Sequence, residues 1–191
     1  MTKCLFTATG RRRARVAWVG SMAALTVLAL LSLAACEPEL VEPDVEPLGS
    51  DTISGERLWE RISEEAPYES YSFWPNEEGV QPGQAPHGPF HRIFVNRPLR
   101  DSIPIADRTA PDGSIIVKEN LNTSQELVSY TVMAKVDGYD PENGDWFWAV
   151  YGPDGMVRAA GAMDSCIVCH EGLVRNDYII VYPLDKPAPT E

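Results

Sequence analysis

Leu127-Val128-Ser129-Tyr130-Thr131-Val132-Met133-Ala134-Lys135-Val136 reads as a β-strand. Val128, Tyr130, Val132, Ala134 and Val136 fall on one face, and Ser129, Thr131, Met133 and Lys135 on the other, the period of two that a pleated strand imposes. Moving toward the C-terminus, Asp137 to Asp145 holds Asp140-Pro141 and Asn143-Gly144, both turn pairs, and Trp146 to Tyr151 follows as a second β-rich run. Moving toward the N-terminus, Pro111-Asp112-Gly113 turns the chain into Ser114 to Lys118, and Phe90 to Val95 is a further strand preceded by a Pro/Gly/Asn-rich loop from Pro75 to Pro89. Ser54 precedes GERLWERISEE, where Leu58, Trp59 and Ile62 recur at helical spacing, so a short capped helix is expected to stop before Pro67. No βαβ alternation appears. The fold class is therefore α+β: a mostly antiparallel sheet with flanking short helices.

The ends of the chain carry different information. Lys3, Arg11, Arg12, Arg13 and Arg15 make a positive leader, Val16 to Leu33 is apolar, and Leu33-Ala34-Ala35-Cys36 closes it. A small-small-cysteine ending of this kind resembles a bacterial lipobox, which makes residues 1–35 a lipoprotein signal peptide and Cys36 the acylated first residue. The competing reading is an uncleaved span, for which the apolar run is marginally long enough. Residues 36–50, rich in proline and acid, read as an extended tether, and 51–186 as one domain, with 187–191 as a tail. The chain as a whole has a formal charge of −12, and the signal segment removes basic residues only, so the mature chain is more acidic still. Such a field repels nucleic acid and anionic headgroups and favours cationic partners. The expected location is outside the cytoplasm, on the periplasmic or outer side of a bacterial membrane, held by lipid alone.

Beyond Cys36, the exported chain retains only Cys166 and Cys169, in Cys166-Ile167-Val168-Cys169-His170. Two thiols at this spacing suit addition across the two vinyl groups of one haem while the adjacent imidazole reaches the iron, so the motif reads as a c-type haem attachment site with His170 as metal ligand. Three other chemistries compete. A disulfide makes no use of His170; a structural zinc needs four ligands and would have to recruit His87 or His91; a thiol-redox pair belongs in a βαβ setting that this C-terminal placement does not offer.

From Trp59 to Tyr182 the sequence resembles the cytochrome P-460 family, with the cytochrome c′-beta proteins as neighbours. The matching pieces are Ala85-Pro86-His87-Gly88, Arg92-Ile93-Phe94-Val95-Asn96, Asp112-Gly113 with Ile116-Val117-Lys118-Glu119, Gly144-Asp145-Trp146-Phe147, and the CxxCH motif followed by Asp177-Tyr178. The resemblance implies a homodimeric, largely antiparallel β-domain holding one covalent haem c, with its iron on the CxxCH histidine and an open distal site. It implies that Lys118 is joined to the macrocycle and that Arg92 stands near the distal pocket.

The members that oxidise hydroxylamine place a carboxylate on the strand after the lysine strand; here Leu127 to Val136 contains no acid, and Thr131, Val132 or Met133 occupies that place. Three functions stay open. One is binding and oxidation of hydroxylamine or nitric oxide; another is gas binding or electron transfer without turnover, with a partner cytochrome; the third is a zinc-stabilised domain. Met133, Met163, His87 and His91 are the candidate sixth ligands that would close the distal site.

Overall fold

The computed structural model describes residues 41–181 and 183–186. The signal segment, the lipidation site Cys36 and the tail 187–191 lie outside the described residues. In chain order the elements are α1 (Gly55–Glu60), β1 (Ser72–Phe73), β2 (Gln81–Pro82), β3 (Phe90–Val95), α2 (Arg97–Ser102), β4 (Ile115–Leu121), β5 (Leu127–Lys135), β6 (Trp146–Tyr151), β7 (Val157–Gly161) and α3 (Asp164–His170). The strands form one antiparallel sheet in the order β1-β3-β4-β5-β6-β7, with β2 also pairing with β3.

The strand expected to end at Lys118 continues to Leu121. It lies between β3 and β5, so Glu119, Asn120 and Leu121 still find ladder partners on both sides. The β-strand β7 and the helix α2 are additions to the sequence reading. The latter has Pro98 in its first turn and buries only Leu99, which leaves no periodic apolar stripe to read.

Because side chains alternate along a strand, the register Ile93, Lys118, Thr131, Val150 places one row of residues on a common face. The neighbouring row, Arg92, Glu119, Tyr130, Tyr151, occupies the other face. On this second face, Phe94, Val117, Val132 and Ala149 pack against Leu58 and Ile62. The expected cap is present: the Ser54 hydroxyl accepts from Arg57 N at 3.1 Å. The helix then widens into a π-type turn, Arg61–Glu65, and ends at Ala66. Trp59 lies across the sheet, its ring 5.2 Å from Tyr130 and 4.8 Å from Tyr151.

The opposite face is also covered. Ile93, Val95, Ile116, Met133, Trp146 and Trp148 form a separate core with Ile167 of α3 and with Tyr178, Ile179 and Leu184 of the C-terminal segment. Met133 and Lys135, on the face that reads as polar, are therefore buried.

The acidic segment expected to hang as a tether over 36–50 is docked along the domain from Glu42 to Leu48. The Glu42 carboxylate accepts from Arg97 N at 2.7 Å, Asp44 pairs with the Arg97 guanidinium at 2.8 Å, Arg61 donates to Glu46 O at 2.6 Å, and Leu48 joins the core under α1. The Glu42 and Asp44 carboxylates meet Arg97, and Glu46 is held through its main-chain carbonyl, so the segment finds partners on the domain.

Candidate functional site

The helix α3 starts with Cys166 N and Ile167 N bonded to Met163 O at 2.9 and 3.0 Å. Ile167 points into the core and fixes the helix's rotation. Cys166 is half-buried and Cys169 exposed, and both thiols are free. Residues three apart on a helix share a side, so the two sulfurs are presented together. Burial raises the Cys166 thiol above its ordinary value.

His170 is the last residue of the helix, and its Nδ1 lies 2.7 Å from Tyr178 O. A carbonyl oxygen can only accept, so Nδ1 carries the proton and Nε2 keeps its lone pair. Burial holds the ring's pKa below its ordinary value, opposed by the Tyr178 bond and aided by the Lys118 charge. His170 is thus a neutral imidazole with a fixed tautomer, the form that binds a metal. Its ring centroid lies 4.8 Å from that of Trp148 and 6.4 Å from that of His87.

The sheet supplies the rest. Lys118 is half-buried in the row between Ile93 and Thr131 and within electrostatic reach of His87, His91 and His170. Burial lowers its pKa, with the Glu77 carboxylate opposing, which raises the fraction of free amine. Burial, followed by the Lys118 charge, pushes His87 and His91 down to about 4 each. The Thr131 hydroxyl lies 3.3 Å from His87 Nδ1, and Asn120 Nδ2 donates to Ser129 Oγ at 3.1 Å and Thr131 Oγ1 at 3.3 Å. Glu77 stands 3.5 Å from His91 Nε2.

Arg92 is not brought to this cluster. Its position on β3 turns it to the face that carries α1, where its Nε sits 2.5 Å from Glu119 Oε2, a close ion pair rather than an aligned hydrogen bond. Glu119 accepts from Tyr68 on that same face at 2.7 Å. Its neighbours His91 and Ile93 face the His170 side of the sheet and Arg92 faces the other, so the distal role that the resemblance implies for Arg92 draws no support from this cluster. Met133 is buried in the core beside Trp148, and Met163 packs against that core.

Sequence reading missed Trp148, Asn120 and Glu77. Only strand parity with Lys118 could have selected the first two, and Glu77 lies in a loop with no pattern. It also set Lys135 aside, because the resemblance assigns it nothing. Lys135 Nζ in fact contacts both Asp177 oxygens, at 2.7 and 2.8 Å, and donates to Gly144 O at 2.6 Å.

The family model for cytochrome P-460 matches residues 68–181. The chain belongs to the cytochrome P-460 family. No curated protein matches it. The matched span contains every strand and α3, and leaves α1 outside. As a cytochrome P-460 family member the chain is a haem protein of the c-type class.

The residues present fit that cofactor. Among the described residues, buried polar side-chain atoms without a hydrogen bond include both ring nitrogens of His91, Asn120 Oδ1, Trp74 Nε1 and Trp148 Nε1, all on the His170 face of the sheet. Unpaired buried groups are costly and call for a partner. Val168, Val174 and Ile180, all in or soon after the CxxCH motif, are exposed apolar side chains. Apolar surface of this kind next to two free thiols and a free imidazole nitrogen suits a macrocycle.

Proposed function

We propose that this family member is an exported, lipid-anchored haem protein that carries one haem c, attached through Cys166 and Cys169 and ligated by His170, and that binds hydroxylamine or nitric oxide on the open side of the iron. The observation that carries the reading is the bond from His170 Nδ1 to Tyr178 O, which frees Nε2 beside two unpaired thiols on one helix. The bound haem supplies ligand binding and one-electron chemistry. The chain's own part is to fix the imidazole, exclude water with Trp148 and Met133, and present Lys118 to the macrocycle edge, to which the family resemblance implies it is joined.

Among the described residues no group of three or more His, Cys, Asp or Glu side chains converges to hold a metal ion, so the zinc-stabilised reading has no four-ligand site to rest on.

A second haem reading, gas binding or electron transfer without turnover, draws support from β5. Its residues facing the site are Ser129, Thr131 and Met133, with no carboxylate to relay protons. Homodimer formation, an anchor on Cys36 and a partner cytochrome complete the proposal. Spectra of the purified protein in both oxidation states, joined to an intact mass, test it. A mass increased by one haem and a ferrous spectrum that changes with nitric oxide support the proposal. Turnover of hydroxylamine selects the catalytic reading, and a colourless protein of unmodified domain mass sinks both.

A further inference from the structure

We infer that Lys135 and Asp177 form a positioning pair that aims the Tyr178 carbonyl at His170 and thereby sets the orientation and donor strength of the axial imidazole. This rests on the haem reading above.

The acceptor of the His170 proton sits on a stretch of backbone that must be held in place. Asp177 and Tyr178 both adopt left-handed conformations, with φ of 51° and 64°. Two successive residues with side chains rarely do so unless their surroundings impose it. The surroundings here are specific. Asp177 takes the Lys135 ammonium on both carboxylate oxygens and accepts from Ala110 N at 2.8 Å, while its main-chain carbonyl accepts from Trp146 Nε1 at 2.9 Å. Tyr178 N is bonded back to Leu173 O at 3.1 Å. Lys135 also holds Gly144 O, and a Cβ at Gly144, whose φ is +71°, would stand 2.9 Å from the Tyr178 ring. One ammonium therefore ties β5, the turn before β6 and the segment after α3 into a unit that ends at the Tyr178 carbonyl.

Stability does not account for this arrangement. Both partners are buried, with side-chain exposures of 9% and 8%, and replacing a buried ion pair by apolar groups is commonly neutral or stabilising. What the pair fixes is direction. A ligand imidazole that donates its other N–H to a firmly placed carbonyl gains electron density at the metal-binding nitrogen, and loosening the acceptor removes that gain. His170 bonds the Tyr178 carbonyl, while Lys135 and Asp177 bond each other, Gly144 O and Ala110 N, so the pair acts on His170 through Tyr178.

The test uses the full-length haem-loaded protein and two variants. Lys135→Met/Asp177→Leu replaces the pair by apolar side chains, and Asp177→Asn keeps the shape while removing the charge. Each is compared with wild type for the iron–histidine stretching band of the ferrous form, the reduction midpoint and the melting curve. The expected result is a stretching band moved to lower frequency and a midpoint moved upward, larger in the double variant than in Asp177→Asn, with haem still covalently attached. Should the double variant fail to fold, the Asp177→Asn band and midpoint decide. Wild-type values in the folded variants overturn the inference and leave the haem reading intact. Wild-type protein without covalent haem overturns the haem reading first, and this inference with it.

Discussion

The two faces of the sheet are both buried, but by different kinds of surface. Under α1, Leu58, Ile62, Phe94, Val117 and Val132 meet in an apolar core. Most of its polar exceptions are paired: Tyr68 donates to Glu119, Arg61 bonds Glu65, and Arg92 meets Glu119 as an ion pair, leaving, among the described residues, only Arg92 Nε and Glu119 Oε2 buried without an aligned hydrogen bond. Under α3, the apolar residues Ile93, Ile116, Met133 and Trp148 share the surface with Lys118, His91 and Asn120, and more of the buried polar atoms there have no hydrogen bond among the described residues. A face whose polar groups satisfy one another is built for stability. One whose buried polar groups wait for a partner is built to receive something.

That contrast can be broken by substitution, since damage to the first face should cost stability and leave the haem alone. Leu58→Ala or Ile62→Ala, both fully buried, should each lower unfolding free energy by about 2–5 kcal/mol. The haem spectrum of the folded fraction should not move. A spectral change in either would show that the faces are coupled. Next in size is Tyr68→Phe, which strips a buried carboxylate of a donor and should cost about 1–3 kcal/mol, again with an unchanged spectrum. Chemical denaturation followed by fluorescence and by absorbance separates the two effects.

On the second face the expected effects are smaller in stability and larger in spectrum. His91 is buried and its pKa is pushed down to about 4 by desolvation, with the Lys118 charge adding to it and Glu77 alongside. Its folded pKa lies below the unfolded value near 6.5, so the unfolded chain binds more protons between those two pH values. The associated stability is complete above about pH 6.5 and is lost as pH falls toward about 4. His91→Phe should flatten that part of the pH–stability curve, measured as melting temperature across the range, and an unaltered slope would remove His91 from the account. Lys118→Ala should change stability least, by about 1 kcal/mol or less, because the residue is half-buried and no close ion pair among the described residues holds it. It should nonetheless return the ferrous Soret band from a red-shifted position to that of an ordinary c-type haem. A wild-type Soret band already at the ordinary position would argue against the lysine bond.

Much of this architecture was legible in the chain. Alternation in Leu127 to Val136 and the turn pairs around it located β5 and β6, and Ser54 with Leu58 and Ile62 located α1. What the alternation hid was the second core. Met133 and Lys135 look like members of a solvent face until the distant segment from Ile167 to Leu184 folds over them. Cys166, Cys169 and His170 are legible because covalent chemistry demands a fixed local spacing. The Tyr178 carbonyl is not, because a main-chain acceptor leaves no mark on residue type. Nor is the Lys135–Asp177 pair, whose members are 42 positions apart. Arg92 shows what a motif match leaves open: the match fixes its place in β3, and strand parity turns it to the face that carries Glu119.

The central claim is that the CxxCH helix holds haem covalently, and it is tested most directly by haem staining of the denatured protein after boiling in reductant. Wild type and Cys166→Ala/Cys169→Ala should be expressed together with the export and haem-attachment machinery of a bacterial host. The stain should stay with the wild-type polypeptide and be absent from the double variant, while His170→Ala, if it retains haem, should keep the stain and lose the axial-ligand signature in its spectrum. Wild type that loses all stain on boiling, or a double variant that stains as strongly as wild type, would contradict the account.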